Sequence, residues 1–228
     1  MRDYHSILER EDETSAYLLG FWYADGCIFK SWSNGRKNFQ GSVHFSGKDF
    51  EHMTMIARFF GKEPRPIKGC NCFQVKVKSD KIFHHCYNLI GSTSKSNKAI
   101  SVPRVQPHNF HHFVRGFFDG DGSIYVKRYN NRHGKQTSEL GTSFTSGVGS
   151  AQFLEELKKA IRNHIPVGDK KIAVGSNSKL IFGQYDSMLL CDWMYSNAIF
   201  YMRRKKNIWD SADKNRLLKS QKYFSNKV

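Results

Sequence analysis

The chain states one motif twice. Residues 18–26 read Leu-Leu-Gly-Phe-Trp-Tyr-Ala-Asp-Gly, and residues 114–122 read Val-Arg-Gly-Phe-Phe-Asp-Gly-Asp-Gly. Each copy is an apolar run with two small residues four apart, Gly20 and Ala24 in the first and Gly116 and Gly120 in the second. Small residues at that spacing form a flat stripe on a helix and let two backbones approach closely. Each run ends in Asp-Gly, which places Asp25 and Asp121 at helix C-termini. Two such helices packed side by side would bring these carboxylates together.

That pairing is electrostatically unfavourable on its own. A carboxylate at a helix C-terminus meets the negative end of the macrodipole, at a cost of roughly 0.3–1 kcal/mol when exposed. Two of them also repel. A hard divalent cation held by carboxylate and carbonyl oxygens reverses the balance, and Mg²⁺ shared with a phosphate suits hydrolysis of a phosphodiester. Either copy alone could be only a packing face followed by a turn. A calcium loop starting at Asp119 is excluded, because its sixth position is Ile124 and its twelfth Asn130.

The repetition extends well past the motif. Strand patterns follow each Asp-Gly, at 27–33 and 123–129, then polar turns at 34–38 and 130–138. Second strands end in Phe45-Ser46-Gly47 and Thr145-Ser146-Gly147. Helices are predicted over about 49–60 and 150–164, from Met53, Ile56, Phe60 and from Phe153, Leu157, Ile161. A second hairpin follows in each half, with clearest strands at 73–78 and 180–185, and helices start at Ser79-Asp80 and Tyr185-Asp186. The offset between copies grows from 96 at the motif Asp to 100 at the Ser-Gly and 106 at the later Asp. Each half therefore reads αββαββα, with 207–228 as a helix plus a ragged tail.

Charge points to the partner. The 228 residues carry a net charge of +16. Residues 1–103 hold 15 Lys+Arg against 10 Asp+Glu, and 104–228 hold 21 against 10. This is the electrostatic footprint of a nucleic-acid binder. An anionic-membrane or heparin binder would concentrate basic runs on an amphipathic helix, and only Arg203-Arg204-Lys205-Lys206 is such a run. No apolar stretch is long enough to span a bilayer, and the start does not read as a signal peptide. The five cysteines are odd in number and form no CxxC, so they read as reduced thiols, with a zinc site around Cys70, Cys72, His84 and His85 as the lesser alternative. His-Asn-Phe-His-His at 108–112 sits just before the second motif and reads as capping or DNA contact.

The two motifs resemble the paired signature of LAGLIDADG homing endonucleases, in the form where one chain holds both half-domains. The second copy matches very closely. The first is looser, because Tyr23 stands where the family often has an acidic residue. The resemblance implies an α+β fold of two pseudo-twofold related αββαββα repeats packed through central LAGLIDADG helices, with antiparallel sheets forming a DNA-binding saddle. It covers nearly the whole chain: an N-terminal half-domain at 1–91, a linker at 92–108, and a C-terminal half-domain with a basic tail at 109–228. It further implies Asp25 and Asp121 as catalytic metal ligands, with the carbonyls of Ala24 and Gly120 nearby, and a catalytic Lys near each centre at Lys98 and Lys205. Lys95 and Arg204 are the fallbacks. The ion would be Mg²⁺, with Mn²⁺ substituting and Ca²⁺ binding without cleavage. Where the family often has a Gln organising water, this chain has Ser46 and Ser146.

A two-stranded ribbon fits the major groove, and alternation sends every second side chain toward it. The expected DNA contacts are Ser31, Ser33, Arg36, Gln40, His44, Gln74, Lys76 and Lys78 in the first half. In the second they are Tyr125, Lys127, Tyr129, Arg132, Lys135, Lys170 and Lys179. The implied activity is a staggered double-strand break in a long, pseudo-palindromic or asymmetric DNA target by a monomer with no membrane partner. The rivals are a group I intron RNA maturase and an inert DNA-binding regulator. An intein is disfavoured, because no splicing block is present. The expected location is intracellular, in a microbial or phage-host cytoplasm or an organelle matrix.

Overall fold

A computed structural model describes residues 7–32, 40–93, 101–146 and 151–225. The chain divides into two compact units, Met1–Gly120 and Asp121–Val228. The first contains α1 (Glu13–Asp25), β1 (Gly26–Ser31), β2 (Gln40–Gly47), α2 (Phe50–Phe59), β3 (Arg65–Pro66), β4 (Phe73–Lys78) and α3 (Asp80–Ile90). A 3-10 turn at Pro107–Asn109 then leads into α4 (Phe110–Asp121). The second unit contains β5 (Gly122–Asn130), β6 (Gln136–Ser146), α5 (Ala151–Arg162), β7 (Ile172–Ala173), β8 (Ser178–Phe182), α6 (Gln184–Tyr195), α7 (Arg203–Asp210) and α8 (Asn215–Ser225).

Each unit holds one antiparallel four-stranded sheet, ordered β1-β2-β4-β3 and β5-β6-β8-β7. One face of each sheet is core. Val43, Phe45, Val75 and Val77 are fully buried in the first, as are Phe144 and Leu180 in the second, with Phe182 beside them. The helices packed there are capped by side chains: Asp12, Asp49 and Ser79 accept backbone N–H bonds at the N-termini of α1, α2 and α3. Gly91 ends α3 in the left-handed region that favours glycine.

Three expectations need correction. The strand expected at 180–185 runs over Ser178–Phe182, and α6 already begins at Gln184. There Gln184 Oε1 accepts the Leu140 N–H of β6, as Asp80 Oδ1 accepts the Gly41 N–H of β2 in the first unit. Asp186 is therefore not the counterpart of Asp80. The basic C-terminal stretch, expected to hold one helix, takes part in two. It forms α7 and α8, with α8 held to α6 by a Tyr185–Tyr223 stack at 4.9 Å and to β6 by Arg216 donating to Ser138 O. Finally, Cys70 and Cys72 are joined as a disulfide, Cα–Cα 5.2 Å, so neither is the reduced thiol nor the zinc ligand considered from sequence. Cys27, Cys86 and Cys191 are free.

The register also corrects the alignment of the two copies. The motif glycines Gly26 and Gly122 pair with Phe45 and Phe144. The counterpart of Ser46 is thus Thr145, and Ser146 corresponds to Gly47. One residue of slip turns every side chain to the other face, and Ser146 accordingly lies buried on the core side.

Candidate metal centre and nucleic-acid faces

The motif helices α1 and α4 meet along the stripe of small residues. A Cβ on Gly20 would fall 2.0 Å from the Phe113 carbonyl oxygen, and one on Gly116 would fall 2.1 Å from that of Tyr17. The contact is reciprocal and leaves no room for any side chain. At Gly120 a Cβ would strike the Ala24 methyl at 2.3 Å and stand 3.2 Å from Asp25 Oδ2. The Asp25 carboxylate is therefore pressed against the end of α4, and Asp121 is the next residue in the chain. Both acids are half-buried.

Each acid has a distinct support. Ser46 Oγ donates to the Asp25 carbonyl at 3.0 Å, fixing the last turn of α1 from the neighbouring strand. Ser46, which stands where the resembled family often has a Gln, thus bonds directly to the backbone. In the second unit, Lys205 is 1% exposed and its Nζ donates to the Gly122 carbonyl at 2.6 Å, immediately after Asp121. Lys98 lies outside the described residues. Among the described residues no group of three or more His, Cys, Asp or Glu is placed to hold a metal. Carboxylate and carbonyl oxygens of the kind each motif end carries are hard donors, which suit Mg²⁺ or Ca²⁺ rather than zinc.

The face of each sheet opposite the core carries most of the residues expected at DNA. In the first sheet, Ser31 pairs with Gln40, His44 with Lys76, and Ser42 with Lys78, so these share one face with Gln74. Arg65 pairs with Gln74 and joins them. Sequence reading missed Arg65 because Pro64 and Pro66 flank it, and Pro is confined to edge strands. In the second sheet, Tyr125, Lys127, Tyr129 and Lys179 share the open face with Glu139, Ser143, Thr145 and Ile181. Arg132 and Lys135 are exposed in the β5–β6 turn, which Asn131 closes by accepting the His133 and Lys135 N–H groups at 3.0 Å. Ser33 and Arg36 lie outside the described residues.

Two expected DNA contacts are otherwise engaged. Lys170 is bound to Asp186 at 2.8 Å, a partner on α6, and so faces the helix layer instead of the open face. His44 lies on the open face but is covered by the Phe29 ring at 4.5 Å and hydrogen-bonded to Ser42. Burial and the charge of Lys76 lower its pKa to about 4, so it is neutral at physiological pH.

No known protein-family profile matches the sequence, and no curated protein is similar to it. Solved structures do match. The I-LtrWI LAGLIDADG homing endonuclease bound to target DNA has a TM-score of 0.57 at 13% identity, over 97% of this chain and 96% of that one. The LAGLIDADG meganuclease I-AabMI bound to uncleaved DNA has a TM-score of 0.58 at 15% identity, over 91% and 92%. I-SmaMI, bound to an uncleaved DNA target with calcium ions, has 0.56 at 13%, over 94% and 93%. The fold is that of the two-repeat LAGLIDADG endonucleases.

Beside the small-residue stripe, the motif helices α1 and α4 carry a buried polar ladder that sequence reading did not anticipate. Arg115 is fully buried and donates to Glu13 Oε1 at 2.9 Å and to His112 Nδ1 at 2.8 Å. Tyr17 Oη donates to Asp119 Oδ2 at 2.7 Å. Asp119 is the acid of the second motif that corresponds to Tyr23 of the first, so the motif position that varies between copies is used for a helix–helix bond. His-Asn-Phe-His-His at 108–112 belongs to the same packing: Asn109 donates to Glu11 O at 2.8 Å, and His111 packs on His112 at 3.7 Å. No helix among the described residues is long and apolar enough to cross a membrane.

Proposed function

We propose that this protein is a site-specific DNA endonuclease, acting as a monomer to make a staggered double-strand break in a long, asymmetric duplex target. The observation that carries the reading is Asp25 held against Gly120 at the end of α4, one residue before Asp121. Asp25 and Asp121, with the carbonyls of Ala24 and Gly120, would hold Mg²⁺. Mn²⁺ would substitute, and Ca²⁺ would bind without cleavage. When bound, the ion supplies polarisation of the phosphodiester and a nucleophile at neutral pH. Lys205, anchored on Gly122, and Lys98 place a cation beside each scissile phosphate, where it stabilises the extra charge of the transition state. The open, basic sheet faces bind phosphates and base edges.

Cleavage of a randomised duplex library with Mg²⁺, beside Ca²⁺ and an Asp121→Asn variant, tests this. One long asymmetric site, cut only by the native protein with Mg²⁺, is the expected result. Salt-sensitive binding with no cutting would overturn the nuclease reading, and group I intron RNA would then be the ligand to try.

A further inference from the structure

The open faces of the two sheets are not copies of each other. Register makes the comparison possible within each unit. Phe45 and Phe144 both face a motif glycine, and they pair with Val75 and Leu180 on the next strand. The following open-face positions are therefore equivalent: Lys76, opposite His44, and Ile181, opposite Ser143. The strand before supplies Gln40 in one sheet and Glu139 in the other, opposite Ser31 and Lys127.

Ile181 stands out on chemical grounds. Its neighbours Leu180 and Phe182 point into the core and are fully or nearly fully buried. Ile181 points the other way and is 45% exposed, on a face otherwise made of Lys, Glu, Ser, Thr and Tyr. Nothing in the core requires it. Beside it, Gly141 makes room for the Tyr125 ring, because a Cβ there would lie 2.5 Å from that ring. The result is an apolar strip across the middle of the second open face. The first face carries a cation at the same step.

In the major groove the base pairs differ in what they offer such groups. Guanine presents the O6 and N7 acceptors that a Lys or Arg reads, while thymine alone presents a methyl group that an apolar side chain contacts. We infer that Ile181 reads a thymine methyl in the half-target bound by the second repeat, and that Lys76 reads a guanine at the equivalent step of the other half. This rests on the proposed DNA-binding function and assigns its specificity.

The test uses the full-length protein. A duplex pool is selected by binding in Ca²⁺, and each thymine of the selected target is then replaced by deoxyuridine, which removes only the methyl group. One replacement is expected to weaken wild-type binding severalfold. The same replacement should have no effect on Ile181→Ala and should keep its effect on Ile181→Val, which retains a branched apolar side chain. Lys76→Ala should lose, by about tenfold, the preference for one guanine elsewhere in the target. Truncating Ile181 opens no core cavity, so the variant folds. If no thymine position shows a penalty that depends on residue 181, while a target is still selected, the inference is overturned and the DNA reading stands. If no duplex is selected at all, both fall.

Discussion

The Tyr17 hydroxyl of α1 donates to the Asp119 carboxylate of α4 at 2.7 Å, with both residues fully buried. A buried carboxylate that loses a donor keeps its desolvation cost, and hydrogen bonds to charged groups contribute about 1.5–3 kcal/mol. Tyr17→Phe is expected to destabilise the protein by that amount, read from urea unfolding at unchanged slope. Asp119→Asn should cost less, because the amide oxygen still accepts from Tyr17. A Tyr17→Phe variant within about 0.5 kcal/mol of wild type would show that this bond does not hold the helices together.

The glycine stripe makes a sharper prediction. The atoms that meet a Cβ on Gly20 or Gly116 are backbone carbonyls, which cannot rotate aside. Gly20→Ala and Gly116→Ala should each cost at least about 3 kcal/mol or prevent folding, the upper range for overpacking. Gly183→Ala is the control: nothing lies within 4 Å of its Cβ position and its φ is −82°. It should stay within about 0.5 kcal/mol of wild type. Equal effects at all three sites would rule out close helix contact as the reason for the motif glycines.

Much of this was legible in sequence because it rests on local periodicity. The stripe Gly20/Ala24 and Gly116/Gly120, the alternation of Phe73–Lys78 and the helix start at Ser79 each depend on residues a few positions apart. What failed depends on pairing between distant strands. Ser46 and Ser146 align by their shared Ser-Gly, yet Phe45 and Phe144 set the register, and a single-residue slip moved Ser146 to the core. Lys170 looked like any other basic residue near a strand. Only the fold shows Asp186 across from it. The ladder of Arg115, Glu13 and Tyr17 was hidden for the same reason, since its partners are about a hundred residues apart in the chain.

His112 gives the protein an acid-sensitive element. Burial, with Arg115, His111 and His108 adding like charge, lowers its pKa to about 3. Arg115 donates to Nδ1, which requires the neutral ring. Because the folded value lies below the unfolded one, the unfolded chain takes up the proton first. This contribution to stability is complete above about pH 6.5 and is lost as pH falls toward 3. Between pH 7 and pH 5 it amounts to about 1–2 kcal/mol, and His44, lowered to about 4, acts in the same direction. Stability against urea should therefore fall over that interval, and His112→Gln should flatten the fall. An unchanged pH profile in His112→Gln would assign the acid sensitivity to other groups.

Lys205 separates structure from catalysis. Its ammonium is almost completely buried and bonded to the Gly122 carbonyl, next to Asp121. A phosphate arriving at that point would meet this cation at close range. Lys205→Met keeps the length of the stem and removes the charge. If the cation acts on the transition state, the variant should cut a bound target at least about a hundredfold more slowly, the scale seen when one charge-stabilising donor is removed. Its binding of duplex DNA in Ca²⁺ should stay within about threefold, because the many open-face contacts are untouched. Its melting temperature separates the two roles: a variant that folds, binds and fails to cut places Lys205 in the reaction. A variant that melts early yet cuts at the wild-type rate at low temperature would make Lys205 a strut for the Gly122 turn and leave Lys98 as the remaining cation to test.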